Sequence, residues 1–205
     1  MGDAPMTFAA FLQQYESVPT QKLDGYAASR FDGMSDEERA TARTMLIERT
    51  LREGDIFDLG GLRFVGDAAT VAQLAQATDA AERYGWRFDI IRREVLFVLT
   101  SDHDWLLGLT RWLDDRDPAA QERAATALAS HPLTPAFEAI IVDRIADGRH
   151  EDSLLGLLSA WIALRDGPGI DPMRFQRNLP LIRTVSAASP RTRPAILQEA
   201  FVRPV

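Results

Sequence analysis

The sequence contains no cysteine and only three histidines among its 205 residues. Without cysteine, the chain has no disulfide, no thiolate zinc site and no cysteine nucleophile. Lysine is almost absent too, because Lys22 stands alone beside 22 arginines. Arginine in place of lysine, together with abundant alanine, predicts a bacterial source with a GC-rich genome. The lack of cysteine also fits a reducing compartment, so we expect a cytoplasmic location.

Long hydrophobic runs and targeting segments are missing as well. No stretch approaches the roughly 18 uncharged apolar residues of a membrane span. Residues 1–6 show neither the basic and apolar segments of a secretory signal nor the Ser or Thr of a myristoylation signal. We therefore expect no signal peptide, no lipid anchor and no membrane partner.

Charge is unevenly distributed along the chain. The net charge is −7, with −11 on residues 1–170 and +4 on residues 171–205. An acidic body disfavours nucleic acid, because attraction to phosphates supplies most of the non-specific affinity for it. The same charge favours a basic protein partner. Simple solubility is the alternative explanation.

Apolar residues recur with helical spacing along most of the chain, and no alternating strand pattern competes with it. Phe8, Phe11, Leu12 and Tyr15 predict an N-terminal helix, which is followed by a loop over residues 18–34. The pattern then predicts four helix pairs whose second helices begin at a regular interval, as in repeat architectures. The predicted helices cover residues 36–53 with 55–65, 67–80 with 86–100, 102–114 with 118–130, and 134–147 with 151–165.

Helix-capping residues support these boundaries. Ser35 and Glu38 form the pattern of a capping box, and Gly54 is a natural helix end. Asp67 can cap the helix that follows it. Asp117-Pro118 places proline at the first helical position, where its missing N–H costs nothing. Because the loops between these helices are short, sequential helices are expected to pack as antiparallel neighbours.

Two stretches resemble HEAT-like helical repeats, which are α-solenoid proteins. Residues 59–74 resemble the bacterial pattern in which a helix ends at leucine-glycine-aspartate and the next carries a leucine seven residues on. Residues 117–128 resemble the family's aspartate-proline start and alanine-rich inner helix, although Ala120-Gln121 stands where the family usually has Val-Arg. Residues 86–113 depart further, with aromatic and charged residues in place of small ones. The resemblance covers about residues 36–165.

The resemblance implies an all-α fold, a right-handed superhelical stack of antiparallel helix pairs. Residues 1–34 would form the N-terminal helix and loop, and residues 35–165 the HEAT-like repeats. Residues 166–205 would form an irregular cap rich in proline and arginine. Six prolines lie in this last segment, so only short helices are expected there.

Patterns for catalysis or metal binding are not found. The stretch 101–104 contains Ser, Asp and His, but capping groups at a helix start are the better interpretation. The acidic run 114–117 lacks the Gly and terminal Glu of a calcium loop. Gly60-Gly61 lacks the context of a phosphate loop, so it is expected to permit close packing. None of the histidines, His103, His131 and His150, has another three or four residues away. We predict no catalytic residue, no metal and no cofactor.

A non-catalytic protein-binding role is the main functional prediction. HEAT-like stacking implies a curved surface of inner helices, which would sequester a basic protein partner. Small acidic repeat proteins of this kind resemble bacterial immunity proteins that neutralise a basic toxin. The predicted partner-binding residues, expected to be exposed on that surface, are Asp58, Asp89, Arg92, Arg93, Glu122 and Asp152.

Two other functions stay open. HEAT-like enzymes include DNA glycosylases, whose basic concave face the acidic body opposes, and phycobilin lyases, which need a chromophore pocket. The chain could also be a structural subunit of a larger assembly.

Tryptophans Trp105, Trp112 and Trp161 fall at core positions. Because Trp112 is adjacent to Leu113, one of these two is expected to lie off the buried stripe, where an exposed tryptophan would anchor a partner.

Overall fold

A computed structural model describes residues 8–17, 25–169 and 171–202, and within these ranges all regular secondary structure is helical. The predictions made for residues 1–6 and 18–24 lie outside the described residues. The α-helices are α1 Phe8–Glu16, α2 Asp36–Glu53, α3 Ile56–Val65, α4 Ala68–Gln76, α5 Thr78–Tyr84, α6 Trp86–Thr100, α7 His103–Leu107, α8 Pro118–Ser130, α9 Ala136–Ala146, α10 Leu154–Asp166, α11 Pro172–Ala187 and α12 Arg193–Val202. Short 3₁₀ helices cover Ala28–Arg30, Gly108–Asp114, Gly148–His150 and Pro190–Thr192. No helix in these ranges is both long and apolar enough to cross a bilayer.

The all-α prediction is confirmed, and α2, α6 and α8 have the predicted bounds. Two predicted helices are divided. The first is divided at Ala77, where ψ is 46°. The Arg92 guanidinium binds the carbonyl of Leu74 at 2.8 Å and so satisfies an end carbonyl of α4 in place of another helical turn. The second, predicted over 102–114, becomes 3₁₀ from Gly108 onward, where glycine weakens an α-helix.

Side-chain caps fix several helix starts as the sequence predicts. The Ser35 hydroxyl accepts from the Glu38 amide at 3.3 Å, and the Glu38 carboxylate accepts from the Ser35 amide at 2.8 Å. Asp67 accepts from the Thr70 amide at the start of α4. Gly54 ends α2 with φ of 71°, in the left-handed region that glycine adopts without strain.

The chain divides into two compact units, Met1–Trp105 and Leu106–Val205. The first unit is built on α2, α3 and α6, with α3 packed against both other helices. Aromatic residues of α1 and of the segment before α2 close one side of its core. Phe11 is 1% exposed, and its ring centroid lies 5.9 Å from that of Tyr26 and 6.0 Å from that of Phe31.

The second unit is centred on α8 and α10, which pack closely against each other. Ala124, Ala127 and Leu128 of α8 are fully buried, as predicted. A Cβ placed on Gly156 of α10 would lie only 3.0 Å from the Cβ of Ala125. Small residues at this crossing therefore set the distance between the two helices. The superhelical arrangement of successive pairs stays a prediction.

The prediction that residues 166–205 form an irregular cap with only short helices is wrong. Helix α11 has 16 residues, and α12 has 10. Pro172 occupies the first turn of α11, where proline is tolerated, while Pro180 lies inside the helix. The buried side chains of Ile182 and Val185 anchor the part of α11 after Pro180, so tertiary packing outweighs the lost hydrogen bond.

Candidate functional site

Asp58 lies at the centre of a buried polar cluster in the first unit. Its carboxylate is fully buried and accepts hydrogen bonds from the Tyr26 hydroxyl at 3.0 Å and from Nε of Arg49. Arg49 also donates to the Tyr15 carbonyl at 2.6 Å, and its guanidinium carbon lies 3.4 Å from the centre of the Tyr15 ring. The cluster therefore ties α1, α2, α3 and the segment containing Tyr26 together. Burial beside this carboxylate raises the pKa of Tyr26.

Gly61 allows Tyr26 to reach Asp58. A Cβ at Gly61 would lie 2.8 Å from the Tyr26 ring, so a larger residue would push the tyrosine away. This confirms that a glycine of the Gly60-Gly61 pair permits close packing.

Asp89 forms a second buried cluster, within α6. One carboxylate oxygen accepts from Arg92 at 2.7 Å and the other from Arg93 at 2.8 Å. Asp89 is fully buried and Arg92 is only 2% exposed. Arg92 also binds the carbonyl of Leu74, so the cluster fixes the end of α4 on α6. This cluster therefore stabilises the packing of α4 on α6.

The second unit contains a buried polar pair that corresponds to these two clusters but carries no charge. Gln121 of α8 and Ser153, just before α10, are both buried, and the Ser153 hydroxyl donates to the Gln121 side-chain oxygen at 3.1 Å. The Gln121 amide donates to the carbonyl of Asp115 at 2.7 Å. The step along the chain from Gln121 to Ser153 is nearly the same as the step from Asp58 to Asp89 in the first unit. Buried polar residues thus recur at close to the interval predicted for the second helix of each pair.

The expected exposure of the six predicted binding residues is wrong for Asp58, Asp89 and Arg92. From sequence alone, a carboxylate on an amphipathic helix is expected to face solvent. In the folded chain, arginine partners compensate the charge of Asp58 and Asp89 and so allow both to be buried. Arg93 is partly buried against Asp89. Glu122 and Asp152 are exposed, as expected.

Most described arginines of the first unit are buried or only partly exposed. Arg39 binds the carbonyls of Phe31 and Phe64 at 2.9 and 2.8 Å. The same pattern, a guanidinium donating to backbone carbonyls, recurs at Arg43, Arg49, Arg63 and Arg92. Arg92 is buried, the other four are partly exposed, and all five donate hydrogen bonds to the backbone.

The outer surface of the first unit is consequently more acidic than its composition suggests. By sequence the unit carries 18 acidic and 11 basic residues, a net charge of −7. Among its described side chains, 11 acids but only three bases are exposed. We call these 11 acids the outer acids: Glu16, Asp32, Asp36, Glu37, Glu48, Glu53, Asp67, Asp79, Glu82, Asp102 and Asp104. The exposed bases are Arg52, Arg83 and Arg87, and Arg52 is paired with Glu53.

Helices α2 and α5 both carry outer acids, and their C-terminal ends are in contact. The Tyr84 hydroxyl of α5 donates to the Arg52 carbonyl in the last turn of α2. The tyrosine ring occupies the space above Gly54, where a Cβ would overlap with it. Four of the outer acids on these helices, Glu37 and Glu48 on α2 with Asp79 and Glu82 on α5, make no ion pair among the described residues.

The tryptophans and the 101–104 stretch serve local structure. Leu113 is fully buried while Trp112 is only partly buried, with the Arg111 guanidinium 4.5 Å from its ring centre, so Trp112 is the one that lies off the stripe. Trp161 is in the core and Trp105 is partly buried.

Asp102 accepts from the Asp104 amide at the start of α7, which confirms its capping role. The described residues contain no group of His, Asp or Glu side chains that could hold a metal ion.

His150 is buried between two carboxylates of the second unit. Its Nε2 lies 3.7 Å from Asp114 and 3.9 Å from Asp147, beyond hydrogen-bond distance. Arg144 binds Asp114 at 2.7 Å, and Arg149 binds Asp147 and holds the pKa of that carboxyl at about 2. Burial outweighs the two carboxylates and lowers the pKa of His150 below 6.5.

This geometry predicts a pH-dependent stability of the second unit. Because the folded state disfavours the protonated imidazole, the contribution of neutral His150 is complete above pH 6.5 and is lost as the pH falls below that value. We expect the free energy of unfolding to fall between about pH 6.5 and pH 5, before most carboxylates titrate. In His150→Gln this part of the pH profile should flatten. Denaturant unfolding of both proteins across this range makes the comparison, and identical slopes would show that His150 does not cause the dependence.

Comparisons with known proteins place the chain in no group. No family model, curated protein or solved structure matches it. The HEAT-like resemblance therefore stays a prediction, and the functional argument depends on the chain's own surface.

Proposed function

We propose that this chain is a non-catalytic binding module that holds a basic protein partner through the outer acids of its first unit. The observation that carries the proposal is a difference in exposure: most described guanidinium groups of this unit are buried or partly buried against carbonyls and aspartates, while 11 of its carboxylates are exposed. Such a surface attracts a cationic partner and speeds its association.

The binding surface proposed here, the outer acids, differs from the set of residues predicted from the sequence. Asp58, Asp89 and Arg92 hold the helices together, and the outer acids take over the binding role. Glu122 and Asp152 are exposed acids of the second unit, so they provide an internal comparison. In the form we favour, the chain is a cytoplasmic immunity protein that neutralises a basic toxin, as the HEAT-like resemblance implies. The recurrence of buried polar groups at a near-constant interval supports the stacked-repeat arrangement that this form assumes.

The first test compares two variants that change the net charge equally. The outer-acid variant carries Glu37→Gln, Glu48→Gln, Asp79→Asn and Glu82→Gln. The matched-charge variant carries Glu122→Gln, Asp143→Asn, Asp152→Asn and Glu199→Gln, all exposed acids of the second unit. Each protein is immobilised and used to capture partners from a lysate of its native host, followed by mass spectrometry.

We expect the wild type and the matched-charge variant to capture the same basic protein. The outer-acid variant should bind that protein about tenfold more weakly or worse, because each exposed charge pair contributes about 0.2–1 kcal/mol. Its melting temperature should stay within about 2 °C of wild type, since exposed charges contribute little to stability. Binding should saturate at a fixed ratio and leave the mass of the partner unchanged, as it would without turnover.

Two outcomes would contradict the proposal. Equal loss of capture in both variants would show that only the total charge matters. Capture of an acidic or neutral partner, unaffected by either variant, would show that the outer acids serve solubility alone.

A further inference from the structure

The segment from residue 172 to 198 contains five arginines and no acidic residue. Two of these arginines are used internally. Arg193 is 3% exposed and binds both carboxylate oxygens of Glu151, at 2.7 and 2.9 Å. Arg174 donates to the carbonyls of Gly167, Pro168 and Gly169 in the turn before α11. These contacts dock α11 and α12 within the second unit.

The other three arginines form what we call the arginine face: Arg177, Arg183 and Arg191. All three are exposed, and none makes a hydrogen bond or an ion pair within the described part of the chain. Arg177 and Arg183 are both exposed on α11, about 9 Å apart along its axis and about 120° apart around it, and Arg191 follows in the 3₁₀ turn, which packs against α9. Met173, one turn before Arg177, is 65% exposed and adds apolar area. These arginines are thus exposed cations without an acidic partner among the described residues, in a chain whose net charge is −7.

We propose that the arginine face binds the outer acids of a second copy of this chain. Guanidinium groups form bidentate pairs with carboxylates, and the first unit presents carboxylates without cationic partners at Glu37, Glu48, Asp79 and Glu82. Nucleic acid is the less suitable polyanion, because three outward cations neutralise few phosphates and the net charge of the chain repels them. The inference does not depend on a foreign basic partner, since both surfaces belong to the same chain.

The symmetry of such a contact has a measurable consequence. The two surfaces differ, so each contact is heterologous. A single contact leaves one surface of each kind free and lets association continue past the dimer, whereas two reciprocal contacts close a dimer; in both cases the mass rises with concentration. Because exposed ion pairs are weak and screened by salt, association should be seen at low ionic strength and lost at high ionic strength.

Sedimentation equilibrium of the purified full chain at about 20 mM and about 500 mM salt tests this inference. The arginine-face variant carries Arg177→Gln, Arg183→Gln and Arg191→Gln, and its matched control carries Arg111→Gln, Arg116→Gln and Arg149→Gln. At low salt, the weight-average mass of wild type and control should rise about 1.5-fold or more with concentration. The arginine-face variant and the outer-acid variant should each stay at the mass of a single chain.

The decisive sample is a mixture of the arginine-face and outer-acid variants. Each variant retains the surface that the other lacks, so the mixture should form 1:1 heterodimers and stop there. Three results would overturn the inference: a wild-type mass independent of concentration at low salt, self-association of both variants equal to wild type, or a mixture that gains no mass. Binding of an oligothymidylate of about 20 nucleotides to the arginine face, without self-association, would assign it to nucleic acid instead. These experiments use only the pure chain, so their failure leaves the capture test for a basic partner untouched.

Discussion

Replacing Asp58 by alanine should destabilise the first unit by about 3–5 kcal/mol, the usual cost of removing one partner from a buried ion pair. The substitution leaves the Arg49 guanidinium, whose side chain is only 13% exposed, without its main counter-charge. It also removes the acceptor of the Tyr26 hydroxyl. Because these partners come from different segments, the loss should loosen α1, α2 and α3 together.

Urea unfolding, with hydrogen exchange to localise the effect, measures this change. The matched control is Asp79→Ala, which removes an exposed carboxylate of the same unit and should alter the unfolding free energy by less than about 0.5 kcal/mol. Faster exchange in α2 and α3 of Asp58→Ala alone would agree with the buried cluster. If the two variants unfold at the same denaturant concentration, Asp58 does not hold these helices together.

Replacing Leu128 by alanine should cost about 2–5 kcal/mol, as large-to-small changes in a packed core do. Leu128 is fully buried on α8, the helix that packs against α10. Ile141→Ala on α9 should fall in the same range, because Ile141 is also fully buried. The cost has two parts, the lost burial of the side chain and the cavity that a tightly packed pair of helices cannot close.

Leu155→Ala provides the control for this prediction. Leu155 lies on α10, yet it is 52% exposed, so its truncation should change stability by less than about 1 kcal/mol. Thermal melts of the three variants rank the effects. A loss for Leu155→Ala as large as that for Leu128→Ala would mean that the buried sides of α8 and α10 have been wrongly assigned.

The helices could be predicted because their signals are local. Ser35 with Glu38, and Asp117, satisfy backbone groups at the starts of their own helices, and Pro118 has no N–H that needs a partner. A single stretch of sequence therefore contains the whole signal. The length of α11 could not be predicted in this way. Pro180 signals a helix end, and only the burial of Ile182 and Val185 in the second unit shows why the helix continues.

The exposure of charged residues was the weakest part of the sequence argument. Whether Asp58 faces water depends on Arg49, which lies on another helix, and on Tyr26, whose ring needs the space above Gly61. Neither partner is visible in helical periodicity. The sequence therefore gives the net negative charge of the chain. Which acidic side chains are exposed is determined by tertiary contacts. Helical periodicity does not single out the outer acids of α2 and α5 for this reason, although the spacing of Glu37 and Glu48 places both on one side of α2.

The most direct test of the central claim is the association rate of the purified basic partner with the chain, measured by stopped flow at about 50 mM and about 500 mM salt. If the outer acids steer the partner, the rate for wild type should fall about tenfold or more between these salts. The outer-acid variant should already be slow at low salt and should respond only weakly to added salt. The matched-charge variant should behave as wild type does. Equal rates for wild type and the outer-acid variant at both salts would contradict a binding function for the acidic surface of the first unit.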